Sequence, residues 1–403
     1  MVSQEMYGLG SARSSIRELF EYGSRKAKEL GPENVMDFSL GNPSTPAPAA
    51  VEAAIEHLLR TETATALHSY TSALGDAGVR ATLAESLNRR FGVGATADNL
   101  FMVSGAASAL IACFKALTPE AESEIVGIAP FFPEYKVFAE RSAGATFCMV
   151  PADTENFQIN FDALEQILRP NTCMVVINSP NNPSGVVYTR ETLERLGALL
   201  RAKSEAYGHP IFLLSDEPYR ELVYGGLSVP WVPDFYENTV VCYSYSKSLS
   251  LPGERIGYVL VPPTVHQWQT VYLAIAGAAR ACGHVCAPSL MQRVAALCCD
   301  VQPDVSIYEH NSRLLYDNMT AMGYRCAKSG GAFYLFFEAP CGLTGQQFSD
   351  LAKEKYNLLI VPGDGFGCPN HLRLSYCVPT ARIEQALPFL EKLMAEVKGE
   401  GHL

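Results

Sequence analysis

Ser244-Tyr245-Ser246-Lys247-Ser248-Leu249-Ser250-Leu251-Pro252-Gly253-Glu254-Arg255-Ile256-Gly257 joins two apolar runs, 239–243 and 258–261, whose composition predicts strands. One lysine, several hydroxyls and an arginine eight residues beyond the lysine share this connection. A lysine on a turn between strands, rather than on a solvated helix face, is a candidate for Schiff-base chemistry. Ser244, Ser246 and Arg255 stand where a phosphate beside that lysine would be held, Arg255 through a planar fork of donors. Alone, the stretch reads equally well as an exposed lysine in a polar turn. The order of the segments around it decides between the two.

Upstream, the apolar run 211–214 predicts a strand that ends at Ser215-Asp216-Glu217-Pro218-Tyr219. A carboxylate at the end of an apolar strand is costly unless a positive group meets it. Residues 173–178 predict another strand, leading into Ser179-Pro180-Asn181-Asn182-Pro183-Ser184-Gly185, where the prolines prevent the strand from continuing. The strand predicted at 124–129 ends in Pro130-Phe131-Phe132-Pro133-Glu134-Tyr135, and an aromatic there can lie flat against a planar ring. The strand at 100–103 meets Ser104-Gly105-Ala106-Ala107-Ser108, which opens a helix running to 117. Small residues at a helix start leave its first amides free at the positive end of the dipole, a seat for phosphate. A strand at 146–151 and helices at 161–168 and 191–206 complete the alternation.

Nearer the N-terminus, residues 11–30 carry apolar positions at helical spacing and stop at Gly31-Pro32. A short strand at 37–40 runs into Gly41-Asn42-Pro43. Helices at 51–59 and 79–91 flank His68-Ser69-Tyr70-Thr71-Ser72-Ala73-Leu74-Gly75-Asp76. Downstream of the lysine, helices are predicted at 264–281, 289–298 and 308–323, strands at 331–336, 358–362 and 371–376, and a closing amphipathic helix at 381–397. Arg373 sits inside the apolar strand His371-Leu372-Arg373-Leu374-Ser375, and an arginine so placed rarely lacks a partner.

These segments, in this order, resemble the pyridoxal-phosphate (PLP) aminotransferases of fold type I, class I/II, of which the aspartate aminotransferases are the type. The lysine stretch matches S-x-S-K-x-x-x-x-P-G-x-R-x-G, residues 179–185 are close to N-P-x-N-P-[ST]-G, and 216–219 match D-E-x-Y. The resemblance implies a Schiff base on Lys247, which also serves as general base and acid, and an Asp216 that keeps the pyridine nitrogen protonated. Asn182 and Tyr219 would hydrogen-bond the cofactor's phenolic oxygen. Gly105, Ala106 and Ala107, with Ser244, Ser246 and Arg255, would hold its phosphate. Phe132 is the implied ring-stacking residue, with Phe131 and Tyr135 still open. Gly41 and Asn42 would lie over the substrate, and Arg373 would clamp its α-carboxylate in two-pronged fashion. Tyr70, in the order Y-x-x-x-x-G before a helix, would reach the cofactor phosphate of a neighbouring subunit, which implies a homodimer. One departure is Glu254, where many relatives carry Trp, and it is expected to face outward.

Composition bounds the rest. At 403 residues the chain exceeds one core, so two domains are expected. The division falls at 1–48, an N-terminal segment of the small domain, 49–290, a large PLP-binding domain, and 291–403, the small C-terminal domain. The expected fold is α/β, a mostly parallel central sheet with helices on both faces plus a smaller α/β domain. A net charge of −11 without a basic cluster argues against nucleic acid. No long apolar run occupies 1–30, so neither a signal peptide nor a membrane span is expected, and the cytoplasm is the expected compartment. Of twelve cysteines, Cys113, Cys148, Cys173 and Cys242 lie in apolar runs as small core residues. Cys282, Cys286, Cys298 and Cys299 lie closer together but form no CxxC pair, and no metal is expected.

The implied reaction moves the amino group of an L-amino acid to a 2-oxo acid such as 2-oxoglutarate. No segment identifies a second arginine for a side-chain carboxylate, so an aspartate- or glutamate-like or broad donor is the family default. A PLP-dependent carbon–sulfur β-lyase of the cystathionine type shares every motif and is the alternative. An aminotransferase-like regulator needs an N-terminal winged-helix module, and only 40 residues precede Gly41.

Overall fold

The computed structural model describes residues 1–11 and 15–400. Seven strands form the central sheet: β2 (Leu100–Val103), β3 (Glu124–Ile128), β4 (Thr146–Val150), β5 (Thr172–Asn178), β6 (Phe212–Asp216), β7 (Thr239–Ser244) and β8 (Gly257–Leu260). Their spatial order is β2-β8-β7-β6-β5-β3-β4. Every pairing is parallel except those of β8, which runs antiparallel to both neighbours. The expected mostly parallel sheet is therefore present.

Strands β2, β3, β5, β7 and β8 are buried along their whole length, which is why they read as unbroken apolar runs. Alternate side chains still enter different layers. In β7, Val240 and Cys242 join the core around Leu110 and Phe114, while Val241 and Tyr243 join the core around Leu83 and Leu87. Helix ends follow local chemistry: Asp76 accepts the amides of Gly78 and Val79 at 2.8 and 3.1 Å, starting the helix Ala77–Phe91. Gly92, at φ 65°, ends it in the left-handed conformation that glycine adopts without strain.

Two further sheets stand apart. β1 (Met36–Asp37) pairs in parallel with β10 (Leu358–Leu359), and β11 (Val361–Pro362), β12 (His371–Ser375) and β9 (Tyr334–Glu338) form an antiparallel trio. Helices Ser306–Met322, Gly345–Tyr356 and Thr380–Glu400 belong to the same half of the chain, the last accommodating Pro388.

Several predicted boundaries move for physical reasons. The strand expected at 37–40 ends at Asp37, because the carbonyls beyond it are taken by groups other than a strand ladder: Ser375 N–H reaches Phe38 O, Arg373 reaches Ser39 O, and Lys247 reaches Gly41 O. The strand expected at 331–336 begins only at Tyr334, since Ala332 is left-handed at φ 57° and its amide bonds Leu222 O. The expected strand 358–362 is two strands in two sheets, split at Ile360. The helix expected from 264 starts at Trp268, after a turn in which Gln267 takes φ 51°. The helix expected at 11–30 is Ser15–Leu30, preceded by a separate helix Gln4–Ser11, and residues 12–14 of that expectation lie outside the described residues.

Candidate active site

The carboxyl ends of β2, β3, β5, β6 and β7 face a cavity of about 300 Å³, the edge along which open α/β sheets bind ligands. Asn182, Asp216, Tyr219, Lys247 and Arg373 all line it. So do Gly41, Ala106, Ala107, Phe132, Ser244, Ser246 and Arg255.

Lys247 sits in a single helical turn, Tyr245–Ser248, rather than in the open turn expected from sequence. Ser244 caps that turn by accepting the Ser246 amide at 3.2 Å. The lysine side chain is therefore directed inward, and Nζ donates to Gly41 O at 2.6 Å. Burial pushes the amine down to about 8; nearby Cys377 opposes this, and Arg373 and Arg255 add to it. An amine in that range has a neutral, nucleophilic fraction near neutral pH.

Asp216 ends β6. Its Oδ2 accepts the Tyr135 hydroxyl at 2.5 Å and its backbone oxygen accepts Asn178 Nδ2 at 2.8 Å. Its Oδ1 is buried without a partner. Burial raises the carboxyl to about 7, against the Tyr135 hydrogen bond, which lowers it. An orphaned carboxylate oxygen beside the cavity fits a ligand that brings a protonated ring nitrogen.

The anion seat forms where Arg255 meets the helix Ala106–Ala116. Gly105, at φ 82°, precedes that helix with no side-chain cap, so the first amides stay free. A Cβ on Gly105 would fall 2.6 Å from Arg255 Nη2, which explains the glycine. Arg255 Nη1 lies 3.4 Å from Ser246 Oγ, and Ser244 Oγ is 2.8 Å from Ser246 Oγ. Two hydroxyls, a guanidinium and a helix start therefore converge on one point, chemistry suited to a phosphate. Glu254 is exposed, as expected.

On the opposite wall, Arg373 is 2% exposed. Its Nη1 donates to Asn182 Oδ1 at 3.0 Å and its Nη2 to Ser39 O at 2.5 Å. Asn182 is held in turn by its amide, which donates to Asn178 Oδ1 at 2.7 Å, and the peptides before Pro180 and Pro183 are both cis. Tyr219 shares a 2.8 Å hydroxyl–hydroxyl contact with Tyr334. Of the three aromatics left open after β3, Phe132 lines the cavity, Tyr135 is spent on Asp216, and Phe131 packs edge-on against Phe147 at 5.1 Å.

Two expected residues stand elsewhere. Asn42 is exposed and does not line the cavity. Tyr70 is 85% exposed and also lies outside it. Conversely, sequence reasoning missed Tyr334, Asn178 and Ser39, and it took Ile16, which lines the cavity, only as an apolar helix position. Tyr334 and Asn178 sit in apolar strands and read as core; the polar atom each carries was the signal available.

Fold and site together define an α/β enzyme built around a buried lysine, an unpaired carboxylate and an anion seat. The chain belongs to the family described as aminotransferase class I and II, whose model matches residues 33–390. It is an aminotransferase, its cofactor is pyridoxal 5′-phosphate, and its substrates are an amino acid and a keto acid. It is 28% identical to the aspartate aminotransferase of Geobacillus stearothermophilus over 391 residues, 92% of this chain and 94% of that one. Aromatic-amino-acid aminotransferase 2 of Thermococcus litoralis is 27% identical, with 96% of each chain covered. Among solved structures, an amino transferase of Eubacterium rectale superposes with a TM-score of 0.95 at 53% identity, covering 98% of this chain and 99% of that one. The aspartate aminotransferase of Thermotoga maritima superposes at 0.85 with 27% identity, covering 98% and 100%. Among the described residues no helix is long and apolar enough to cross a membrane.

Proposed function

We propose that the protein transfers the amino group of an L-amino acid, aspartate- or glutamate-like or from a broader set, to a 2-oxo acid such as 2-oxoglutarate, with Lys247 as the cofactor's point of attachment. The observation that carries this is the unpartnered Asp216 Oδ1 sharing one cavity with the amine of Lys247. When bound, the cofactor supplies a sink for the electrons left at the substrate's α-carbon. Asp216 holds the proton on the ring nitrogen. Ser244, Ser246, Arg255 and the amides after Gly105 hold the phosphate, each charge-assisted bond contributing about 1.5–3 kcal/mol. Phe132 covers the ring, and Asn182 and Tyr219 donate to its phenolic oxygen. Arg373 takes the α-carboxylate in two-pronged fashion, with Gly41 beside it. The Lys247 amine, which lines the same cavity, would serve as the general base and acid that moves the substrate's α-proton.

Tyr70 would complete the phosphate seat of a partner subunit in a homodimer, a role its exposure supports. The large unit would span 49–290 and the small unit would combine 1–48 with 291–403. Support for that division comes from the pairing of β1 with β10 and from the packing of Met36 and Phe38 with Leu372, Leu374 and Ile383.

A panel of amino acids mixed with purified enzyme and 2-oxoglutarate, read by glutamate formation, tests the transfer and names the donor. Pyruvate release from cystathionine without a keto acid, in place of glutamate formation, would overturn it in favour of β-lysis.

A further inference from the structure

Tyr334 opens β9, paired with Ser375 of β12 and 2% exposed, yet it also lines the cavity. Three groups of the site meet it. Its hydroxyl lies 2.8 Å from that of Tyr219, whose ring stands edge-on at 5.8 Å. The guanidinium of Arg373 lies 4.6 Å above its ring. A side chain at Gly41 would collide with its hydroxyl, so Gly41 is glycine to admit it. Each phenol has one proton to donate, and a single hydrogen bond between the two uses one of them. The accepting phenol keeps its own proton for a group in the cavity.

We propose that Tyr334 is a positioning residue: it donates to the Tyr219 hydroxyl, aims the Tyr219 proton at the cofactor's phenolic oxygen, and supports Arg373 from below with its ring. This rests on the assignment of Tyr219 to the cofactor made above. A donated hydrogen bond polarises the acceptor's own O–H, so Tyr219 becomes the stronger donor. Arg373 gains a cation–π contact on the same ring. One side chain thereby links the seat of the substrate's carboxylate to the cofactor's ring. Burial of both phenols raises their proton affinities, Tyr334 to about 12, so each remains a donor at working pH.

The test is a pH titration of the absorbance of the bound cofactor in the holoenzyme, compared among the wild type, Tyr334→Phe, Tyr219→Phe and the double variant. Tyr334→Phe keeps the ring and its support of Arg373. It should move the midpoint upward by roughly 0.5–1 unit, because a weaker donor leaves the phenolic oxygen less stabilised in its anionic form. Tyr219→Phe should move the midpoint further, and the double variant should match Tyr219→Phe alone. An unmoved midpoint in Tyr334→Phe, or the same increment on the Tyr219→Phe background, would overturn the role assigned to Tyr334. An unmoved midpoint in Tyr219→Phe would overturn the assignment of Tyr219 to the cofactor beneath it.

Discussion

Replacing Asp216 with asparagine removes a titration that the fold makes expensive. Burial lifts this carboxyl from the usual 3.8 to about 7, against the stabilising hydrogen bond from Tyr135. Between those values the folded, cofactor-free protein retains a proton that the unfolded chain has released. Its stability contribution is therefore whole below pH 4 and is lost as pH rises to 7. A rise of that size corresponds to about 4 kcal/mol, fully lost above pH 7. Asparagine does not titrate, so Asp216→Asn lacks this loss. From about pH 5.5 to 8 the variant should gain about 2 kcal/mol relative to wild type. Urea unfolding of cofactor-stripped protein at the two pH values, followed by circular dichroism, reads that difference. Parallel pH profiles for the two proteins would refute the account, because they would mean that Asp216 is solvated or paired in the folded state. Adding cofactor should reverse the order at about pH 8, since a protonated ring nitrogen supplies the partner that Oδ1 lacks.

Lys247→Ala should bind the cofactor without covalent attachment and show no transamination; borohydride reduction of the wild type should label one peptide containing Lys247, and a label on Lys115 or Lys203 would refute the assignment. Arg373→Lys should raise KM for every α-amino acid alike by roughly ten- to a hundredfold, the worth of one lost charge-assisted prong. Loss of one substrate with the others retained would move Arg373 to a side-chain pocket. Mixed Tyr70→Phe and Lys247→Ala chains should be more active than either parent, because one site of the mixed dimer carries neither defect. Activity no higher than the parents' weighted average, once subunit exchange is verified, would return Tyr70 to its own chain.

Much of the site was legible because its chemistry is local. Ser244, Ser246, Lys247 and Arg255 lie within twelve residues, and the Asp216 and Asn182 turns each follow an apolar run that β-periodicity marks. Unbroken apolar runs also carried the parallel sheet, since strands covered on both faces need no polar alternation. The N-terminal strap was less legible. Whether residues 38–41 continue a strand depends on what takes their carbonyls, and those partners, Arg373, Ser375 and Lys247, come from more than 200 residues away. Asn42 illustrates the same limit, since its motif position could not say that it would be exposed and off the cavity that Gly41 lines.

Sequence alone determined the order of the strands along the chain, the helix start after Gly105, the lysine flanked by Ser244, Ser246 and Arg255, and the arginine within an apolar strand. Each depends on residue types within a few positions of one another, where periodicity, capping and turn chemistry act. Tertiary structure alone decided that β8 inserts antiparallel between β2 and β7, that Leu358 and Val361 enter different sheets, and that Tyr135 rather than solvent faces Asp216. It also brought Tyr334 onto Tyr219 and Arg373. The two hydroxyl contacts, Tyr135 to Asp216 and Tyr219 to Tyr334, join residues 81 and 115 positions apart. Contacts of that reach form only when burying apolar faces brings distant segments together.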